Sequence, residues 1–554
     1  MNKEKCRFFE CNLHALSAID SKLCTRLSSA KTTLEHYKFL EARDGSLIPA
    51  YVDKSGTARP MHSLIAPEKE AQRIMTALGN ESYIIILGFG AAYTLSAALQ
   101  NEKIKFVLVI DYDIDGFSEI LCSKDFSDIF SKAKNTPEKK LSILIDPSES
   151  EIEKFILYTY NPCLHNGMRT IPLRSKCDFD TDHFIPAACA IKSALNKVAS
   201  DYSVQSFFGK RWFSNIIRNL SVAEKQNGVL PPVKKAAICA AGPSLDIQLE
   251  TIKDKRSTFF LIAADTSLGT LLNAAIVPDA IISIDCQHIS YYHFVGYDIK
   301  DIPLFLDIAS PPLLSKLSNK TYFFLSAHPF CDYIEKHFRS IPRIDSSGGN
   351  VTYAALSLAL TLGAKEIEVY GADFSYPCGN IYTRGAYFYP YFHRRSSRLA
   401  PTESQTAAFL FKSSSLKLRS VDNTENWYYE TKMLEMYRSS FSEKASCVSA
   451  KVTPAQGLGA KILIDTLQIN QFADVHQLKL FAYGNLIKNA EEFLKDFKDK
   501  IENLDNDMMQ EDWIPLLPAA AALKHKNKIG NLKELAEQTK IFCIENIEKI
   551  LFAQ

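Results

Sequence analysis

The sequence is poor in the features that mark secreted, membrane-spanning or nucleic-acid-binding chains. Its 13 cysteines are odd in number and scattered, and no C-x-x-C pair occurs among them. That argues against a disulfide framework or a structural zinc site and fits reduced thiols in a cytoplasm. No single sign of charge prevails: 64 Lys and Arg stand against 63 Asp and Glu, a formal net charge of +1, so no global basic field points to nucleic acid. No apolar run approaches the roughly 18 residues of a membrane span. The opening "MNKEKCRFFECNLHAL" lacks the apolar core and cleavage site of a secretion signal. The expectation is a soluble cytoplasmic protein with neither a membrane nor a nucleic-acid partner.

What is present is ordinary in bulk, with 46% hydrophobic and 23% charged residues. At 554 residues the chain is too long for one core. The most informative stretch is "SSGGNVTYAALSLALTLGAKEIEVYGADFSY", Ser346 to Tyr376. Val351, Ala354, Ala355, Leu358 and Leu362 recur at helical spacing, Asn350 is placed to cap the first turn, and Gly363 to end the helix. "EIEVYGAD" then reads as a short strand ending on Asp373. In α/β sheets ligands bind beyond the carboxyl ends of strands, beside helix N-termini. Asp373 and the loop Ser347–Thr352 belong to such an edge.

Three blocks are expected. Residues 1–204 read as an N-terminal Rossmann-like α/β domain. In it, "SLIPAYV" is a strand, Gly88 and Gly90 form a turn after "SYIIIL", and Asp111 ends the next strand. Tyr93 replaces the third fingerprint glycine and would crowd a pyrophosphate, and the Asp-x-Asp of "DYDID" reads as a strand end rather than a metal site. After the amphipathic segment "SFFGKRWFSNIIRNL", residues 205–425 alternate strand and helix, with nearly continuous apolar strands. That pattern predicts a parallel, doubly wound sheet. Asp265, Asp285, Ser347–Thr352 and Asp373 all follow strands, which makes a polar cleft. In the "GPSL" turn Gly242 permits close approach, Pro243 pre-sets a first helical turn, and Ser244 offers a hydroxyl or a cap. Residues 426–554 read as a helical domain. Its longest helix carries Leu478, Phe481, Leu486, Ala490, Phe493, Leu494 and Phe497 mostly on one stripe.

The succession "GPSL", "AADTS", "PDAIISIDCQ", "SSGGNVTYAALSLALTLGAKEIEVYGADFSY" resembles the central domain of the motility-associated factor (Maf) flagellin glycosyltransferases. It resembles, more distantly, the bacterial sialyltransferases that use CMP-sialic acid. "GFGAAYTL" and "GKRWFSNIIRNL" extend the resemblance to roughly residues 80 to 385. It implies inverting, metal-independent transfer of a nonulosonic acid (pseudaminic or legionaminic acid) from its CMP donor to Ser or Thr of flagellin, with no further cofactor. It further implies that Gly242, Pro243, Ser244, Asp265, Thr266, Asp285, Gly348, Gly349, Asn350, Thr352 and Phe374 bind the donor. Asp373, Tyr376 and Tyr382 would serve the chemistry. Ala240 and Ala241 depart from the Gly and Asn of the sialyltransferase turn, and the base histidine of those enzymes has no counterpart at the same spacing.

His393, soon after the tyrosine-rich loop, is the sequence's candidate base, with a solvated loop histidine as the alternative. The basic run "HRRSSR" suits an anionic donor carboxylate or phosphate, since guanidinium forks match both. Three rival readings stand beside this one. An archaeal pterin pyrophosphokinase-like enzyme would use ATP and Mg²⁺ through Asp265 and Asp285. An S-adenosylmethionine methyltransferase would use Gly88, Gly90 and Asp111. A non-catalytic flagellin-binding motility factor would use neither nucleotide.

Overall fold

The computed structural model describes residues 3–30, 36–52, 56–136, 139–227, 230–420, 427–465 and 481–552. The chain divides into two compact units, Met1–Val204 and Gln205–Gln554. Among the described residues no helix is long and apolar enough to cross a membrane.

In the first unit two helices, Lys3–Ser17 and Ser21–Ser28, precede a small antiparallel sheet of β1 (Lys38–Glu41), β2 (Leu47–Val52) and β3 (Ala58–Pro60). A four-stranded parallel sheet follows: β4 (Tyr83–Leu87), β5 (Phe106–Asp111), β6 (Lys140–Ile145) and β7 (Met168–Pro172), in the order β6-β5-β4-β7. Every residue of β4 and β5 is buried, as the unbroken apolar runs "YIIIL" and "FVLVID" require. The strand order reverses between β4 and β7, where a doubly wound sheet offers its ligand crevice.

Here that crevice is filled by the chain itself. Lys176, fully buried, pairs with the fully buried carboxylate of Asp111, which also accepts the Phe89 and Tyr112 N–H groups at 2.7 Å each. Gly90 lies at φ +54°, and a Cβ there would sit 2.5 Å from His62 Nε2 and 2.8 Å from Leu173. The glycines of this turn therefore make room for His62 and Leu173, not for a pyrophosphate. Asp111, the expected ribose acid, already has all its partners. Asp113 caps the helix Ile114–Ser123 by accepting the Gly116 N–H at 3.0 Å. The Rossmann-like fold stands, while its expected ligand position is occupied, which removes the geometric basis of the methyltransferase reading.

The second unit is built on a parallel sheet. In chain order its strands are β8 (Lys235–Cys239), β9 (Phe260–Ala264), β10 (Ala280–Ser283), β11 (Leu304–Asp307), β12 (Thr321–Phe324) and β13 (Glu366–Tyr370). Next come β14 (Tyr376–Pro377), β15 (Lys417–Ser420) and β16 (Trp427–Glu430), which form a separate antiparallel sheet in the order β14-β16-β15, and finally β17 (Lys451–Pro454). The main sheet runs β12-β11-β10-β9-β8-β13-β17, so its order reverses between β8 and β13.

The helix over Val351–Thr361 forms as its spacing predicts, with Asn350 accepting the Tyr353 N–H at 3.0 Å. It is covered on more than one side, because it packs beneath β8, β9 and β10. The helix Thr181–Ala223 contains the "GKRWFSNIIRNL" segment. Within the second unit its Asn215 and Asn219 amides donate to the carbonyls of Cys286, Ala309, Ile308 and Ser310, at 2.8 to 3.1 Å, and fix the loops that leave β10 and β11.

The third expected block differs from its reading. Trp427–Glu430 is a strand, Lys432–Cys447 a helix, and β17 joins the main sheet beside β13. These residues complete the α/β unit and do not form a helical domain from residue 426 onward. The expected long helix begins only at Ala490. A capping box of Asn489 and Glu492 starts it there, and it buries Ala490, Phe493, Leu494 and Phe497. Phe481 and Leu486 precede the helix, and Leu478 lies outside the described residues. Phe481 packs its ring edge-on to Phe305 of β11. The helices Leu517–Asn527 and Leu532–Leu551 complete the unit.

Candidate active site

The reversal point between β8 and β13 carries both sequence landmarks, the Gly-Pro-Ser-Leu turn and the Gly-Ala-Asp-Phe strand end. They bind each other. Asp373, only 4% exposed, accepts the Ser244 N–H at 2.8 Å and the Ser244 hydroxyl. Ser244 in turn accepts the Leu458 N–H at 2.7 Å. A Cβ on Gly242 would lie 2.3 Å from the Asp373 carboxylate, so this glycine admits Asp373 and not a ligand. Burial raises the Asp373 pKa, while hydrogen bonds from Ser244 and Gly459 pull it down. Neither group faces solvent: Ser244 and Asp373 clamp the turn to β13 and to the loop Gly457–Ala460, which follows β17. Ser244 caps no helix, and Pro243 is buried ahead of the helix Leu245–Asp254. Phe374 sits at φ +44° with its ring against Phe441.

The loop before the Val351 helix is likewise held from within. Gly348 packs under the Tyr353 ring, Gly349 turns at φ +72°, and Thr352 is buried. Asp345 accepts Tyr353 Oη at 2.9 Å and Lys444 Nζ at 2.5 Å. Burial alone would raise its pKa, yet these donors and Ser347 hold it at about 2.

The open polar space lies one and two strands over, beyond β9 and β10. Asp265 follows β9 and is buried; it accepts Ser283 Oγ at 2.6 Å, Thr266 N at 2.7 Å and Thr266 Oγ1 at 2.9 Å. Asp285 follows β10 and accepts the Gln287 N–H at 2.9 Å. Its pKa is raised, first by burial and also by the Asp265 charge, against the pull of the Gln287 hydrogen bond and of His293. A cleft of about 90 Å³ opens beside them, walled by Thr266, His293, Tyr297, Tyr387, Tyr391 and Arg394. His293 Nδ1 is buried without a partner, and its ring meets the Tyr387 ring edge-on at 4.6 Å. A buried polar atom left unpaired is costly and marks a place built for something else.

The tyrosine loop reaches this cleft because its root is tied down. Thr383 N–H donates to Ala241 O at 2.9 Å, and the Thr383 hydroxyl donates to Asp246 in the first turn of the helix after Ser244. A Cβ on Gly385 would lie 2.5 Å from the Thr270 Cα, so only glycine lets the loop lie on that backbone. Tyr382 stacks on Phe388 at 4.5 Å. Burial raises its pKa, and so do the neighbouring phenols Tyr376 and Tyr387 and the Asp265 charge. Tyr376 lies in β14 opposite Tyr429, within an aromatic cluster with Ile381 and Phe392.

Of the expected residues, Thr266 lines the cleft with Asp265 and Asp285 at the adjoining strand ends, Tyr382 packs on Phe388 in the tyrosine loop, and Ser244, Asp373, Phe374, Asn350 and Thr352 serve as supports. His393 is exposed on the short helix Phe388–Arg394 and forms no part of the cleft wall. The cleft's histidine is His293. It and Tyr387 escaped the sequence reading because they come from loops 94 positions apart with no periodicity. The aromatic density of "HISYYHF" was the available signal.

Residues 210–379, about the sheet from its first strand to the tyrosine loop, match the 6-hydroxymethylpterin diphosphokinase MptE-like family. Two uncharacterized proteins of Treponema pallidum (strain Nichols) are similar over shorter stretches. One is 38% identical over 106 residues, 18% of this chain and 50% of the relative; the other is 29% identical over 199 residues, 35% and 34%. The chain thus spans a third to a half of these relatives' length. The Maf glycosyltransferase from Magnetospirillum magneticum AMB-1 has the same fold, with a TM-score of 0.59 at 12% identity over 98% of this chain and 91% of that one. The chain therefore has the fold of a Maf glycosyltransferase, and the heart of its second unit is an MptE-like segment.

Proposed function

We propose that the second unit is an inverting glycosyltransferase that moves a nonulosonic acid, pseudaminic or legionaminic, from its CMP donor to a Ser or Thr hydroxyl of flagellin. The observation that carries this reading is the cleft. It lies beyond the carboxyl ends of β9 and β10 and is lined by hydroxyls, a histidine and an arginine, in a chain that shares a glycosyltransferase fold along nearly its whole length. In the step, the acceptor oxygen attacks the anomeric carbon of the sugar. The bond from that carbon to the phosphate oxygen breaks, and its electron pair leaves with CMP. The acceptor proton passes to His293, the histidine of the cleft. In this reading Tyr387 of the cleft wall, with Tyr382 from the same loop, donates to the departing phosphate. A monophosphate leaving group requires no divalent clamp, so transfer is expected to persist in EDTA.

A second reading has one observation in its favour. The MptE-like match and the Asp265–Asp285 pair suit a diphosphokinase that holds ATP through a divalent cation. Thermal shift separates the two, since a ligand of the native state raises its melting temperature. CMP is expected to stabilise the protein with EDTA present. Stabilisation by ATP with Mg²⁺ but not by CMP would reverse the assignment.

A further inference from the structure

The basic run after the tyrosine loop is the sequence feature that the proposed reaction leaves unused. Its members have different fates. Arg395 lays its guanidinium over the Tyr391 ring, 5.0 Å from the centroid, and hydrogen-bonds the Tyr391 hydroxyl. His393 and Arg398 are exposed away from the cleft wall. Arg394 alone of the run lines the cleft, and no described residue pairs with it. Among the described residues that line the cleft it is the only Arg or Lys, and it shares the wall with His293, Tyr387 and Tyr391.

The carboxylates of Asp265 and Asp285 also act on Tyr387 in the cleft wall. An anionic group entering there is repelled by these two acids and attracted by Arg394, so the field is polarised along one direction. A nonulosonic acid differs from ordinary hexoses in carrying a carboxylate on its anomeric carbon. A guanidinium presents the planar fork that matches a carboxylate bidentately.

We infer that Arg394 is the residue that selects an acidic sugar, by pairing with the carboxylate of the donor's anomeric carbon. This rests on the transferase reading and assigns to one residue the discrimination of a carboxylate-bearing donor from a neutral one. The pairing also orients the donor, because the carboxylate and the leaving phosphate share that carbon. Fixing one places the other toward Tyr382 and Tyr387.

The test compares three ligands by calorimetric titration of the full-length protein: CMP, the CMP-nonulosonic acid, and the same donor with its carboxylate masked as a methyl ester. The parent is expected to prefer the free acid over the ester by about ten- to a hundredfold, the range of a charge-assisted pair. In Arg394→Gln that preference is expected to fall within about threefold, with CMP affinity unchanged; Arg394→Lys keeps the charge without the fork and should fall between. An acid-over-ester preference as large in Arg394→Gln as in the parent overturns the inference. So does a loss of CMP affinity equal to the loss of donor affinity in both variants, since Arg394 would then only shape the cleft. A parent that binds CMP but neither donor form contradicts the transferase reading itself.

Discussion

At the scale of the residue, the two groups most conspicuous in the sequence are supports. Ser244 and Asp373 face each other across the reversal point of the sheet, and Leu458 N–H closes the set. Ser244→Ala leaves a buried carboxylate and a main-chain donor short of a partner, so it should cost about 1–3 kcal/mol of stability. Urea unfolding of parent and variant measures this; an unchanged midpoint and slope would contradict the clamp. His293 is the opposite case, inconspicuous in sequence and central in space. His293→Asn is expected to slow transfer by about 10²- to 10⁴-fold, the worth of a positioned base, while the CMP-induced thermal shift stays at the parental value. A parental transfer rate would remove His293 from the chemistry. Asp307, buried at the end of β11, supplies a pH signature. Burial lifts its pKa from the ordinary 3.8 to about 6, against hydrogen bonds from Ala309 N–H and Ser326. The folded state thus favours the neutral acid. Its contribution to stability is complete below the unfolded value and is lost as pH rises through about 6, a swing of about 3 kcal/mol. Asp307→Asn should therefore gain in melting temperature relative to the parent between pH 4.5 and 7, and a constant difference over that range would speak against this titration.

At the scale of the element, what the sequence disclosed depended on local signals. The helix Val351–Thr361 was legible because its apolar spacing, Asn350 cap and Gly363 stop all act within one segment. The strands β4, β5 and β8–β13 were legible as apolar runs between turns. β17 was not: four residues, ending on a proline, acquire meaning only by pairing with β13, some 85 positions earlier. The same holds for the loop Gly457–Ala460, whose role is to hand N–H groups to Ser244 and Asp373. Around the cleft, Asp265, Thr266 and Asp285 could be placed because strand ends mark one edge of a parallel sheet. His293, Tyr387 and Arg394 could not, because loop packing alone decides which of many neighbouring aromatic and basic residues turn inward. The glycines of the first unit mislead for a related reason. A glycine turn signals close approach, and the sequence does not say that His62 and Leu173 are what approaches Gly90.

At the scale of the whole molecule, β17 and its loop tie residues 427–465 into the α/β unit. A chain ending at residue 425 would expose the β13 edge and strip the clamp from Ser244. It is expected to lack a cooperative thermal transition for the second unit, and a sharp one would show that residues 426–554 are dispensable to that core. The central claim concerns what the intact protein does. Its most direct test is intact-mass spectrometry of unmodified flagellin incubated with the full-length protein and CMP-pseudaminic or CMP-legionaminic acid in EDTA. The account predicts flagellin heavier by whole nonulosonic acid residues, with CMP released one for one. Unchanged flagellin mass with either donor, when the same protein is folded and binds CMP, would contradict it.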